Sequence, residues 1–473
     1  MTDHIENLKS LLRKNKYPLT NDIRELPSSG SNRIYYRLSF EDGTGILAAH
    51  NPDVSENIAW YSFSVHFKNK GFRVPEIYAR DESYQYFLLQ DLGDTNLFNL
   101  LAEGIDTKIK SIYKQVIRDL VQFQVEGIDG LDLDVAFPVA EFDRKSVTWD
   151  LNYFKYYFIK PHELTFNESK LEDDFQRFAD KLLESESKYF MYRDFQSRNI
   201  MLSEGQPWYI DFQGGRKGPL QYDLVSLLFQ AKANLPQHLK KQLYDYYLSE
   251  LENVLPGSSA KFTEHYNYFA YFRLMQVLGA YGFRGLIQRK GHFLTSIPFA
   301  INNLKQLVKD SNLKKDFPEL GQIFEQIIGL EQYELLPKKD KKLTVTINSF
   351  SYIKRGYPID NTENGGGFAF DCRALPNPGR IVELRNFTGL EKPVIDYLKA
   401  RPEVEQFLEH ACKLVNQSIE NYLERGFSNL QINFGCTGGK HRSVYSTEWL
   451  YKKLQNKYAD RLELKKPHLQ IGD

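Results

Sequence analysis

Cysteine is scarce in this 473-residue chain, which carries only Cys372, Cys412 and Cys436. Their spacing fits no zinc site, and an odd number of thiols in a long chain suits a reducing compartment better than a disulfide framework. Net charge is missing too. Lysine plus arginine total 61 and aspartate plus glutamate total 61, a balance that argues against a protein whose main task is coating nucleic acid. Long apolar runs are also absent. No stretch reaches the ~18 consecutive apolar residues of a membrane helix. The opening MTDHIENLKSLLRKNKYPL has scattered charges and no apolar centre, so no signal peptide is expected. A soluble, cytoplasmic protein without a membrane partner is the expectation. What the chain does have is 42% hydrophobic and 14% aromatic residues, enough to bury a sizeable core.

At ~150 residues per domain the length suggests two to four domains. Residues 301–330 carry helical apolar spacing; Pro337 and the charged run Lys338 to Lys342 follow, and then the alternating segment LTVTINSFSYI reads as a strand. The run reads as a solvated linker, which puts a boundary near residue 335. Upstream, IYYRLSF, GILAAH and YQYFLLQDL read as strands and 56–70 as a helix, whereas 108–126 and 239–312 are helical. A strand-rich first part and a larger helical second part predict two lobes, about 1–92 and 93–335, with a hinge near Gln90–Gly93.

The segment MYRDFQSRNIML (191–202), followed by WYIDFQ (208–213), holds the most chemistry. Asp194 and Asn199 stand in D-x-x-x-x-N spacing, and Asp211 follows on the next apolar strand. Phosphoryl transfer needs a carboxylate to orient or deprotonate the attacking hydroxyl, a role Asp194 can fill. It also needs hard oxygen ligands for a magnesium ion on the phosphates, which Asn199 and Asp211 provide.

These residues resemble the kinase-like phosphotransferases, a group that includes aminoglycoside phosphotransferases and choline kinases, over about residues 20–330. Within the group they are most similar to the anomeric N-acetylmuramate/N-acetylglucosamine kinases. The matching pieces are LPSSGSNRIYYR (26–37), LQDLGD (89–94), RDFQSRN (193–199), IDFQGG (210–215) and GPLQYDLVSLL (218–228). The resemblance implies a two-lobe α+β kinase-like domain that uses ATP and Mg2+ to phosphorylate the anomeric hydroxyl of a small-molecule sugar. The implied nucleotide-binding residues are Ser29, Gly30, Ser31, Arg33 and Gln90. Tyr192 stands where the family has His, and GILAAH lacks the strand lysine that many kinases set against the phosphates. Arg33 or Arg37 can stand in for it, since guanidinium groups bind phosphate oxygens in bidentate fashion. Asp223 is expected to brace the catalytic loop. Glu56 reads equally as a partner for a phosphate-facing cation or as a solvated charge. Arg273, Arg284, Arg289 and Lys290 read as surface charges.

Near the other end, the strand LQINF (430–434) leads into GCTGGKHRSVY (435–445) and a helix. A strand, a glycine-rich turn and a helix start make an anion cradle, and Lys440, His441 and Arg442 add donors. Lys440 is followed by His441 rather than Ser or Thr, which excludes a Walker A loop. Cys436 and Arg442 also stand in the C-x-x-x-x-x-R spacing of cysteine-dependent phosphatases. Residues 343–470 resemble the C-terminal domain of the RNase adapter protein RapZ, through Ser349-Phe350, FDCR (370–373), LPNP (375–378), TGL (388–390), Pro393-Val394 and the whole 435–445 block. That likeness implies a smaller α/β domain, 336–473, that binds a sugar phosphate such as glucosamine 6-phosphate. The implied pocket residues are Lys354, Arg373, Cys436, Thr437, Gly438, Gly439, His441, Arg442 and Ser443. In the family this domain also binds a small RNA; a neutral chain with a short basic tail (Arg461, Lys465, Lys466) argues against RNA as a partner here. The rival to an enzyme is a regulatory adapter that binds nucleotide without turnover. Cys372 and Cys412 read as small core residues.

Overall fold

The computed structural model describes residues 2–27, 33–101, 104–311, 313–334, 342–354, 356–358, 360, 367–424 and 427–471. The chain divides into two compact units, Met1–Leu335 and Leu336–Asp473.

The first unit begins with a helix, Thr2–Lys14, which the strand-rich reading of this region passed over. Its Leu8, Leu11 and Leu12 bury against Tyr36, Leu38 and Leu88 on one face of a sheet. The strands are β1 (Ile23–Glu25), β2 (Ile34–Ser39), β3 (Gly45–His50), β4 (Ile77–Arg80) and β5 (Tyr86–Gln90), antiparallel throughout in the order β1-β2-β3-β5-β4. The helix Val54–Asn69 starts where the Asp53 carboxylate caps the Glu56 N–H. It covers the other face through Trp60, Phe63 and Phe67, with Trp60 edge-on to Phe87 at 4.9 Å.

The remainder of this unit is mainly helical. The helices Thr107–Val125, Arg144–Phe154, Gln221–Leu228 and Ser259–Tyr281 frame the short pairs β6 (Tyr189–Met191) with β9 (Arg216–Gly218) and β7 (Ile200–Ser203) with β8 (Gln206–Tyr209). One apolar core runs from Trp60 and Phe67 through Phe123 to Tyr192, Tyr209 and Phe212. That continuity fixes the loop between β6 and β7, and the residues after β8, against the sheet-bearing lobe. The 210–215 motif ends in glycine because the backbone must pass close to an aromatic ring: a Cβ on Gly215 would meet Phe190 at 2.4 Å.

The second unit is a parallel sheet of β10 (Leu343–Ser351), β11 (Gly367–Asp371), β12 (Asn429–Cys436) and β13 (Leu462–Lys465) in the order β11-β12-β10-β13. Parallel neighbours require crossovers. The helices Lys392–Lys399 and Pro402–Glu424 connect β11 to β12, and Arg442–Tyr458 connects β12 to β13. Val345, Ile347, Ile432, Phe434, Val415 and Leu450 form its core. The α+β kinase-like unit and the smaller α/β unit are the two fold classes the sequence predicts.

Candidate active site

Asp194 lies in the loop between β6 and β7, and Asp211 lies just beyond β8. Asn199 joins them. Its Nδ2 donates to the Asp194 carbonyl and to Asp211 Oδ2, both at 2.9 Å, and Gln213 Nε2 donates to Asp211 Oδ1 at 2.9 Å. Burial, and then the neighbouring Asp194 carboxylate, raise the Asp211 pKa, while Gln213 and the Arg33 charge pull it back. Two carboxylates and an amide that crowd each other in this way are oxygen donors suited to a divalent cation, which relieves their repulsion. Among the described residues no group of three or more His, Cys, Asp or Glu side chains forms a metal site. Asn199 and Asp211 could hold a hard ion through one amide and one carboxylate oxygen donor, with waters and phosphate oxygens as its other ligands.

The loop is held under strain. Arg193 and Asp211 adopt left-handed φ values of 76° and 70°. Asp223, fully buried on the helix Gln221–Leu228, accepts the N–H of Tyr192 at 2.7 Å and of Arg193 at 2.8 Å, the bracing expected of it. Burial pushes the Asp223 carboxyl up to about 7. The Tyr192 hydroxyl donates to the carbonyl of Ile210, beside Asp211, at 2.7 Å. Tyr192 thus ties the two halves of the site together, a bracing role for the residue that replaces the family's His.

A cleft of about 240 Å³ opens between the sheet and this loop, lined by Arg33, Tyr35, Trp60, Gln90, Asn199 and Asp211 among others. Arg33 occupies its wall. Its Nη2 donates to Glu56 Oε1 at 3.1 Å and Asn57 Oδ1 at 3.0 Å, and its guanidinium sits 4.7 Å from the centre of the Trp60 ring. Glu56 is therefore paired, and its reading as a purely solvated charge is corrected. Arg37, the other candidate for the missing lysine, is held by Asp91 and Asp94 at 2.9 Å. Gln90 ends β5 at the cleft. Ser29, Gly30 and Ser31 lie outside the described residues.

One functional candidate was misread. Arg273, expected on the surface, is 7% exposed and brings Nη2 to 3.8 Å from Asp194 Oδ1, with Nη1 donating to the Tyr222 hydroxyl at 3.0 Å. Its place on the helix Ser259–Tyr281, amid apolar residues, was the only local sign of burial.

In the second unit the loop 437–441 leaves β12 and enters the helix Arg442–Tyr458. Cys436 Sγ accepts the Gly439 N–H at 3.2 Å and lies 3.2 Å from Ser443 Oγ. Burial raises the Cys436 thiol, but hydrogen bonds from Ser443 and Gly439 and the Arg442 charge bring it below the ordinary thiol value. Burial instead pushes Cys372 up to about 12, and Cys412 is raised as well, as inert core thiols. Arg442 is 5% exposed; Nη1 donates to the carbonyls of Arg373 and Leu375 at 2.8 and 3.0 Å, and Nε is buried without a partner among the described residues. Thr437 and Gly438 are exposed, and a Cβ on Gly438 would meet nothing within 4 Å. Arg373 pairs with Asp371 at 2.7 Å and stacks 4.1 Å from the Tyr352 ring centre. The exposed Lys354 joins through its backbone N–H to Ser351 Oγ at 3.1 Å, and Ser351 Oγ donates to the Thr437 carbonyl at 2.7 Å. His441 lies beside Gly379 and is half-buried near the backbone of Leu384, Arg385 and Phe387. No described helix is long and apolar enough to cross a membrane.

A strand-bearing lobe and a helical lobe, with Asn199 and Asp211 lining the cleft between them, suit a kinase-like phosphotransferase domain, the class to which comparison with known proteins assigns this unit. Residues 22–257 match the phosphotransferase enzyme family and residues 343–470 the RapZ C-terminal domain. The chain thus joins a phosphotransferase-family domain to a RapZ C-terminal domain. It is 28% identical over 324 residues to an N-acetylmuramate/N-acetylglucosamine kinase of Neisseria meningitidis serogroup B, covering 66% of this chain and 92% of that protein. A nucleotide-binding protein of Marinobacter nauticus is 34% identical over 188 residues, covering 37% of this chain and 59% of that protein, so the chain spans less than two thirds of this relative. Among solved structures, a Plasmodium vivax ethanolamine kinase aligns with a TM-score of 0.44 at 12% identity, over 61% of this chain and 85% of that one.

Proposed function

We propose that the first unit is an ATP- and Mg2+-dependent sugar kinase that phosphorylates the anomeric hydroxyl of a hexose or N-acetylhexosamine, with N-acetylmuramate and N-acetylglucosamine as the leading acceptors. The observation that carries this reading is the pair of 2.9 Å hydrogen bonds by which Asn199 joins the Asp194 backbone carbonyl to the Asp211 carboxylate, with Asn199 and Asp211 lining the cleft. Asp194, 41% exposed, orients the acceptor hydroxyl and takes up its proton. Asn199 and Asp211 hold the magnesium ion, which when bound neutralises phosphate charge. Arg33, steadied by Glu56, supplies the positive charge that the strand lysine supplies elsewhere, and Gln90 borders the nucleotide. The similarity to the Neisseria kinase supports the choice of sugar. A sugar panel with coupled ADP detection, and phosphorus NMR of the product, tests the assignment. Asp194→Asn is expected to lower turnover by about 10²- to 10⁴-fold while ATP still binds. Nucleotide-induced thermal stabilisation with no turnover of any sugar would identify an adapter instead.

For the second unit the same reading assigns a pocket for a sugar phosphate, such as glucosamine 6-phosphate, on the 436–443 loop, with a regulatory role toward the kinase. The unpartnered Arg442 Nε supports an anion there. The lowered Cys436 thiol favours a second reading, a cysteine phosphatase. Release of phosphate from p-nitrophenyl phosphate, lost in Cys436→Ser, separates the two.

A further inference from the structure

We infer that the acceptor side of the kinase site contains a subsite for a carboxylate carried by the sugar, formed by Arg216 with Arg193 and Arg273. The inference rests on the kinase reading above and adds to it the charge of the acceptor.

Arg216 opens β9 and is 4% exposed. Its Nε donates to the Gly214 carbonyl at 3.2 Å, and its Nη2 is buried with no hydrogen-bond partner among the described residues. A buried, charged donor left unpaired is costly unless a ligand completes it. Beside it lies a small cavity of about 50 Å³, lined by Trp149, Asp150, Met191, Arg193, Arg216 and Gln276 among others. That space suits a substituent rather than a whole sugar ring. It adjoins the acceptor position, because Arg273, which shares Tyr222 and Gln276 with this cluster, lies 3.8 Å from Asp194.

Charge points the same way. Three guanidinium groups face two carboxylates, Asp150 and Asp194, and Asp150 is held by Gln276 Nε2 at 2.7 Å. Burial raises the Asp150 pKa, which weakens its power to balance the arginines. Burial, and then the Arg193 charge, push the Arg216 pKa down to about 10. An entering anion relieves this crowding, and the planar fork of a guanidinium matches a carboxylate in bidentate fashion.

The test compares N-acetylmuramate with its neutral carboxamide, which keeps the ring and removes the charge, using the full chain. Wild-type protein is expected to show kcat/KM at least about tenfold higher for the acid, the scale of one charge-assisted hydrogen bond. Arg216→Gln, checked for an unshifted circular-dichroism spectrum, is expected to narrow that ratio below about threefold. Because Arg216→Gln could unfold, the same two sugars are also titrated calorimetrically into Asp194→Asn protein, where the acid is expected to bind more tightly. Equal kcat/KM and equal binding of acid and carboxamide would overturn the subsite. Preferential binding of the acid without turnover of any sugar by the wild type would uphold the subsite and reject the kinase reading.

Discussion

Replacing Arg33 by methionine separates its structural role from its role toward the nucleotide. The side chain is 4% exposed and pairs with Glu56, itself 22% exposed, so the pair falls between a surface ion pair and a buried one. Methionine keeps the contact with Trp60 but removes the ion pair, the Asn57 hydrogen bond and the cation–π contact. Together these losses come to roughly 2–3 kcal/mol, discounted for the solvent that still reaches Glu56. In a unit of 335 residues that lowers Tm by about 3–4 °C. The nucleotide effect is additional. A guanidinium on the phosphates is worth about 1.5–3 kcal/mol, so kcat/KM for ATP should fall ~10- to 150-fold. The Arg33 charge also favours ionised Asp211, so the magnesium concentration giving half-maximal rate should rise. ATP kinetics across a magnesium titration, beside a thermal melt, read all three effects. Glu56→Gln serves as the comparison, because it loosens Arg33 without removing its charge. A lowered Tm with unchanged ATP kinetics in Arg33→Met would refute the claim that Arg33 replaces the lysine.

Two further predictions concern the braced loop and the second unit. The Asp223 carboxyl titrates near 3.8 when unfolded and is pushed up to about 7 in the fold. Its contribution to stability is therefore fully present below about pH 4 and is lost as the pH rises to 7. Asp223→Asn should flatten that part of the profile of Tm against pH while lowering Tm overall, because one of the N–H groups of Tyr192 and Arg193 loses its acceptor; an unaltered profile would show that the carboxyl titrates normally. In the second unit, glucosamine 6-phosphate should raise Tm in the wild type by an amount that grows with ligand concentration, and Arg442→Met should abolish the shift. Retention of the shift would place the ligand away from this loop.

Local pattern carried much of this protein. The alternation in IYYRLSF and LTVTINSFSYI specified strands, because side chains on a strand alternate faces whatever the strand packs against. The D-x-x-x-x-N spacing joined Asp194 to Asn199 and pointed to Asp211, since a short loop confines all three to one neighbourhood. The turn from β12 into its helix was equally legible, its glycines and helix start being local features. Periodicity was present but missed in the first helix, where Leu8, Leu11 and Leu12 repeat at helical spacing.

The partners of the charged residues belonged to the tertiary structure. Arg33 and Glu56 lie 23 residues apart and meet only because the helix Val54–Asn69 packs across the sheet. Arg273 looked like any surface arginine until the helix Ser259–Tyr281 turned it toward Asp194, and Arg216 acquired its unpaired nitrogen only when β9 closed against β6. Composition states that a charge exists. Whether it is solvated, paired or held ready for a ligand depends on which elements exclude water around it, and that is decided by packing between residues far apart in the chain.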